Sequence, residues 1–418
     1  MAFKRDQVAT LVNRLTEPPK YLQTVIGPRQ TGKTTIVRQA LRHLESIGHG
    51  TRYVSADDSG DAGFPVASGG AELAGAHPGA RDAVWLEAVW REAREAAEQS
   101  GGLVLAIDEI QRVPDWSRTI KGLWDADRTT NCPLNAILLG SAPLLVQSGL
   151  NESLAGRFEQ ITVSHWSLQE MVNAFEFDLE SYLFFGGYPG AAAFIRNEDR
   201  WRSYVLDALV QPNIERDILA MTRVDKPALL KRVFEVGSSQ SGQVLSYTKM
   251  LGALEDAGNT TTLARYLDLL SSAGLVRGLA RFAGPRFRTR GSIPKLNVLN
   301  TALMTATSGY RFEEASADRT FWGRLVESAV GAHLCNTATQ GIEVRYWRES
   351  PHEVDFVLQR GPRTVAVEVK GGLRARGLRG LAEFRQRYKP DRTIVVGADG
   401  VPLNEFLALP AAAWLERS

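Results

Sequence analysis

The chain has 418 residues, too many for a single hydrophobic core, so two to four domains are expected. Its 49 lysines and arginines nearly balance 47 aspartates and glutamates, a net charge of +2 that neither demands nor excludes a nucleic-acid partner. Only Cys132 and Cys335 occur, far apart and without metal-ligand spacing, which argues against a disulfide scaffold or a zinc site and for a reducing cytosol.

Met1–Gln7 has no apolar leader core, and no run reaches membrane-span length, so a cytoplasmic protein without membrane contact is expected. Short apolar runs at Tyr21–Ile26, Thr51–Ala56, Leu103–Ile107 and Ala136–Leu139 have strand length, and helical patterns such as Asp82–Gln99 lie between them. This alternation predicts an α/β fold with a mainly parallel sheet over residues 1–165. The stretch 58–79, rich in Gly, Ala, Ser and Pro, reads as a flexible insertion. Residues 166–235 are helical in pattern, broken at Gly186–Gly190, and form a lid or linker. Residues 236–317 make a third zone and 318–418 a fourth, in which a helix near Phe321–Asn336 leads into strands. Arg363–Arg392 is the one locally basic stretch, and no internal repeat is present.

Gly27-Pro28-Arg29-Gln30-Thr31-Gly32-Lys33-Thr34, followed by Thr35, matches G-x-x-x-x-G-K-[ST] after an apolar strand and before a helix. The glycines let the backbone curl so that its N–H groups face phosphate oxygens, and the helix N-terminus adds favourable charge. Lys33 then reaches the β- and γ-phosphates, and the Thr34 hydroxyl takes a place on Mg2+. Leu103–Ile107 runs into Asp108-Glu109, which puts Asp108 on the magnesium shell and Glu109 on the attacking water. Ser141, after the strand Asn135–Leu139, either senses the γ-phosphate or caps the next segment. Arg157 is either an arginine finger, in cis or in trans, or a solvated loop residue.

GPRQTGKTT, LAIDEIQRVPDW, LLGSAPLL and SLAGRFE, in this order, resemble the AAA-type ATPases of bacteria and archaea that carry a C-terminal domain of unknown function. The resemblance spans nearly the whole chain and implies ATP as the nucleotide. Val163–Leu168 departs mildly from the PLSF-like segment usual at that place.

Ser246–Leu254 and Thr260–Leu270 read as two short helices, with Thr260 as N-cap of the second and Leu263, Tyr266, Leu267 and Leu270 on one face. With Gly274–Val276 and Leu279–Phe282 as wing strands, the segment resembles a winged helix-turn-helix, used either on DNA or as a protein–protein spacer. Further on, Val354–Gln359 and Val365–Lys370 alternate with period two around a turn at Gly361-Pro362. That register sets Asp355 opposite Glu368, with Lys370 on the same face. Two opposed carboxylates call for a cation, and Mg2+ suits oxygen ligands. Glu327 is the one acid on its helix face. Together Glu327, Asp355, Glu368 and Lys370 resemble the PD-(D/E)xK nuclease fold, although Val354 stands where a proline is usual. The alternative is an inherited nuclease-like fold whose acids pair with Arg345, Arg348 or Lys370. The expected partners are thus ATP and Mg2+, with DNA, a protein partner and self-association as further candidates. The competing functions are an ATPase driving a DNA-binding, DNA-cutting half, and a slow ATP-gated switch whose C-terminal half only binds.

Overall fold

Strand–helix alternation produces a parallel sheet in the first of two units, Met1–Val163, and the second unit runs from Ser164 to Ser418. The computed structural model describes residues 3–57, 81–140, 150, 153–219, 224–254, 258–284, 293–339, 341–370, 378–397 and 400–416. The expected insertion at 58–79 and Ser141 lie outside these residues, as does part of the basic stretch, 371–377.

The first unit holds strands β1 (Leu22–Ile26), β2 (Gly50–Ser55), β3 (Leu103–Asp108), β4 (Leu134–Gly140) and β5 (Phe158–Thr162), all parallel, in the order β2-β3-β4-β1-β5. Helices α1 (Asp6–Leu15), α2 (Lys33–Ser46), α3 (Ala83–Ser100) and α4 (Trp116–Thr130) cover both faces. Leu22, Ile26, Leu105, Ile107 and Leu138 pack under Trp85, Trp90 and Trp124. Val25, Val104, Ala106, Ile137 and Leu139 pack on the other side against Val8, Leu11, Ile36 and Val37. Burial on both faces is why the central strands read as unbroken apolar runs. The edge strand β5 buries only Ile161, so its apolar signal is weak and the sequence reading passed over it. Helix α1 buries Val8, Leu11, Val12 and Leu15, an amphipathic stripe at helical spacing.

In the second unit, the helix Leu168–Phe175 opens on a capping box between Ser167 and Glu170. The helix Leu179–Phe185 stops at Gly186, whose φ is 72° and where an added Cβ would lie 2.1 Å from Asn300 Oδ1. The expected chain break at Gly186–Gly190 therefore has a steric cause.

Helices Tyr247–Ala253 and Thr260–Ser272 follow, and Leu263, Tyr266, Leu267 and Leu270 are buried as expected. Two details differ. The N-cap is Asn259, whose side chain accepts from the Thr262 N–H at 2.8 Å, and Thr260 is the first helical residue. The hairpin strands are β6 (Val276–Leu279) and β7 (Lys295–Val298), antiparallel, instead of Gly274–Val276 with Leu279–Phe282. All four β7 residues are buried, but Lys295 and Asn297 interrupt the apolar pattern that marks a strand in sequence.

The last part runs through a helix, Arg319–Thr337, then β8 (Glu343–Glu349), β9 (His352–Arg360), β10 (Arg363–Val369), a helix Arg379–Tyr388 and β11 (Arg392–Val396). The sheet order is β8-β9-β10-β11, antiparallel except for the β10–β11 pair. Phe356 pairs with Val367 and Leu358 with Val365, the register the hairpin turn predicts. These four join Val330, Leu334, Ile394 and Trp414 in one core, while Val357 and Ala366 pack with Trp347, Leu381 and Phe384 in another. Among the described residues no helix is long and apolar enough to cross a membrane.

Candidate functional site

The loop Gly27–Gly32 joins β1 to α2. A Cβ on Gly27 would lie 2.0 Å from the Val163 carbonyl oxygen, so only glycine lets the loop pass there. Gly32, at φ 90°, caps α2 in the left-handed region, and Gln30 also has positive φ. Pro28 and Arg29 are half-buried, while Gln30 and Thr35 are exposed. The Thr31 hydroxyl donates to Pro28 O at 2.9 Å, and Arg5 donates to Thr31 O at 2.9 Å, which braces the loop from α1's end. The buried Lys33 ammonium donates to Gly27 O at 2.9 Å and Pro28 O at 2.7 Å.

Sheet order brings the acidic half alongside, because β3 ends beside β2 on the same side as the loop. Asp108 Oδ2 accepts from the Thr34 hydroxyl at 2.8 Å and from the Tyr53 hydroxyl at 2.5 Å, and Oδ1 accepts the Glu109 N–H at 2.8 Å. Burial, followed by the Asp108 charge, pushes the Tyr53 phenol well above its ordinary range, so it stays a proton donor. Arg38 lies over the Tyr53 ring, 4.7 Å from its centre. Glu109 sits at φ 53°, a conformation costly for a side-chain-bearing residue, and accepts from Gln111 Nε2. Tyr53 was missed in the sequence because nothing local marks it; only the β2–β3 pairing delivers its hydroxyl. Arg157 forks onto Asp125 of α4 at 2.7 and 2.9 Å, so a finger role requires that pair to open.

In the second unit Glu327, Asp355, Glu368 and Lys370 do come together, with a group that sequence reading missed. Lys295 of β7, fully buried, places its ammonium 2.5 Å from Glu327 Oε1, 3.3 Å from Asp355 Oδ1 and 3.7 Å from Glu353 Oε1. Lys370 pairs with Glu368 at 2.5 Å, and Asp355 Oδ2 accepts the Val369 N–H at 2.8 Å. Arg348 approaches Glu353 at 3.6 Å. Among the described residues no group of three or more His, Cys, Asp or Glu is arranged to hold a metal ion. The β9–β10 ladder ends at Phe356 and Val367, beside Asp355 and Glu368, and Lys295 and Lys370 lie against these acids.

Burial pushes Glu327 up to about 7, against the pull of Lys295 and with added repulsion from Asp355. Glu368 is likewise pushed up to about 7, by burial first and Asp355 second, with Lys370 opposing. Each carboxyl therefore takes up a proton on folding between its ordinary value and about 7. The resulting stability is present at the acid end of that interval and is lost as pH rises through it. The second unit is expected to be less stable at pH about 8 than at pH about 5. Urea unfolding at the two pH values checks this, and Glu327→Gln with Glu368→Gln should flatten the difference.

The AAA domain family matches residues 20–172, the stretch that holds the loop, Asp108 and Glu109. This unit is an AAA-type ATPase domain. The protein is accordingly an ATPase, binding and hydrolysing ATP. Two domains of unknown function, DUF8612 and DUF4143, match residues 176–314 and 322–414 of the ATPase. No curated protein matches it in sequence. A Walker-type ATPase of Pyrococcus abyssi is similar at 15% identity and a TM-score of 0.51, covering 73% of this chain and 95% of that one. AMPPCP-bound DnaA of Aquifex aeolicus has 15% identity and a TM-score of 0.32, covering 65% of this chain and 89% of its own. A RuvB variant of Thermotoga maritima stands at 15% and 0.32, with coverages of 66% and 88%. Of these three, the Pyrococcus protein supports a shared fold for the ATPase.

Proposed function

We propose that the ATPase hydrolyses ATP with Mg2+ at the Gly27–Thr35 loop and that the nucleotide cycle governs what its C-terminal half binds. The observation that carries the first part is the meeting of Thr34 Oγ1 and Asp108 Oδ2 at 2.8 Å beside the loop. A hydroxyl and a carboxylate converging beside a nest of backbone N–H groups fit a hard divalent cation and a phosphate chain. Thr34 and Asp108 would hold the metal, which would supply positive charge to the phosphate chain when bound. Lys33 moves its three donors from the loop carbonyls to phosphate oxygens. Asp108 holds the Thr34 hydroxyl in place, and Glu109 orients and polarises the attacking water.

Tyr53 is read as the positioning residue for Asp108. Tyr53→Phe is expected to raise the Mg2+ concentration for half-maximal turnover about tenfold, with ATP affinity kept, since outer partners of metal ligands typically carry that much. A titration of phosphate release against Mg2+ measures it.

For the C-terminal half we favour binding without cutting, because Lys295 and Lys370 already neutralise the carboxylates of the nuclease-like fold. One observation favours DNA as the bound partner: two helices followed by the β6–β7 hairpin have the order of a winged helix. On this reading the zones 166–235, 236–317 and 318–418 serve as lid, winged-helix-like module and nuclease-like domain. The test is phosphate release by the full chain, with and without DNA, together with an assay for DNA strand breaks. Turnover raised several-fold by DNA without breakage supports DNA-directed binding. DNA-indifferent turnover supports a protein partner, and Mg2+-dependent breakage lost in Asp355→Ala overturns binding without cutting.

A further inference from the structure

The carboxylate cluster of the second unit carries a feature that neither the ATP site nor the nuclease resemblance accounts for. Lys295 has no solvent exposure, and neither do its strand neighbours Leu296, Asn297 and Val298. Its ammonium lies over the Phe356 ring, 4.9 Å from the ring centre. The ammonium also donates to the Asp355 carbonyl at 3.2 Å, besides its three carboxylate neighbours Glu327, Asp355 and Glu353. These acids come from different elements, Glu327 from the Arg319–Thr337 helix and Glu353 and Asp355 from β9. Four oxygens thus converge on one nitrogen.

We propose that Lys295 is a resident counter-ion standing where a divalent cation would otherwise bind, so that the cluster is metal-free and the domain does not cut nucleic acid. This deepens the reading of a C-terminal half that binds without cutting. Ammonium–carboxylate contacts lie near 3 Å, whereas Mg2+ needs oxygens at about 2.0–2.1 Å in near-octahedral array. For a metal to enter, the ammonium must leave its acids. Strand β7 is held by the β6 ladder and buried along its length, so the lysine cannot withdraw without disturbing that pairing. An ammonium moved away from its carboxylates inside a protein loses both hydration and partners, which bars the exchange. The rest of the cluster is balanced in the same manner. Lys370 holds Glu368 Oε1, and the other oxygen, Glu368 Oε2, is buried without a hydrogen-bond partner. Lys295 also ties the hairpin strand to the C-terminal sheet and its helix.

Mn2+ uptake by the full chain tests this, followed by electron paramagnetic resonance without nucleotide in an Asp108→Asn background that silences the ATP site. With Lys295 present, Asp355→Asn should leave Mn2+ uptake unchanged. Lys295→Met should gain about one Mn2+ equivalent, and adding Asp355→Asn should abolish the gain. An equivalent bound by the chain with Lys295 and lost in Asp355→Asn overturns the proposal. So does a Lys295→Met chain that keeps its circular dichroism and takes up no Mn2+. If Lys295→Met does not fold, the comparison in the presence of Lys295 still decides the matter. DNA breakage is assayed separately, so a cutting activity that needs no metal in this cluster would sink the binding-only reading and leave the counter-ion standing.

Discussion

Lys33→Ala should lower kcat/KM for ATP by about 10³-fold or more, because it removes the one ammonium that the loop aims at the phosphates. Lys33 is buried, and its ammonium already rests on two carbonyls of the loop, Gly27 O and Pro28 O. Glu109→Gln should act on a different step. The amide keeps the shape and the Asp108–Glu109 backbone contact but cannot polarise water, so turnover falls about 10²–10⁴-fold while ATP still binds. Phosphate release paired with a fluorescent-nucleotide titration separates the two: Lys33→Ala loses affinity and turnover, and Glu109→Gln loses turnover alone. A Glu109→Gln chain with near-normal turnover would assign the water to another group.

The second large effect concerns stability. Asp127 of α4 is fully buried, accepting from Trp90 Nε1 at 2.7 Å and from Arg94 Nε at 2.5 Å. It joins α3 to α4 inside the cluster of Trp85, Trp116 and Trp124. Asp127→Ala leaves an indole N–H and a part-buried guanidinium without their acceptor, and removing one partner of such a pair costs about 3–5 kcal/mol. Asp127→Asn retains an acceptor for Trp90 and should lose less, about 1–3 kcal/mol. Denaturant unfolding followed by tryptophan fluorescence reads both directly. Equal losses for the two variants would mean that the charge, not the hydrogen bond to Trp90, holds the helices.

Much of the nucleotide site was legible along the chain. Gly27, Gly32, Lys33 and Thr34 are neighbours in sequence, so their spacing alone encodes a loop that opens a helix. Asp108 and Glu109 end a buried apolar run, which marks them in the same local way. The strand β5 and the β6–β7 pairing were harder. The first is an edge strand with one buried residue, and the second contains a lysine and an asparagine at buried positions. Sequence patterns report which side chains prefer an apolar neighbour, and these strands hold too few of them.

The sequence by itself determined the P-loop with its acidic partner and the register of the β9–β10 hairpin. Each depends on residues a few positions apart, or on a turn that fixes pairing by geometry. Only the tertiary structure decided what surrounds those groups. Tyr53 reaches Asp108 across 55 residues because β2 pairs with β3, and Lys295 reaches Asp355 across 60 because β7 packs against the Arg319–Thr337 helix. No periodicity extends over such separations. A buried lysine also looks, in sequence, like any other surface charge until its carboxylates are folded around it, and for that reason a cluster read as waiting for a metal holds an ammonium instead.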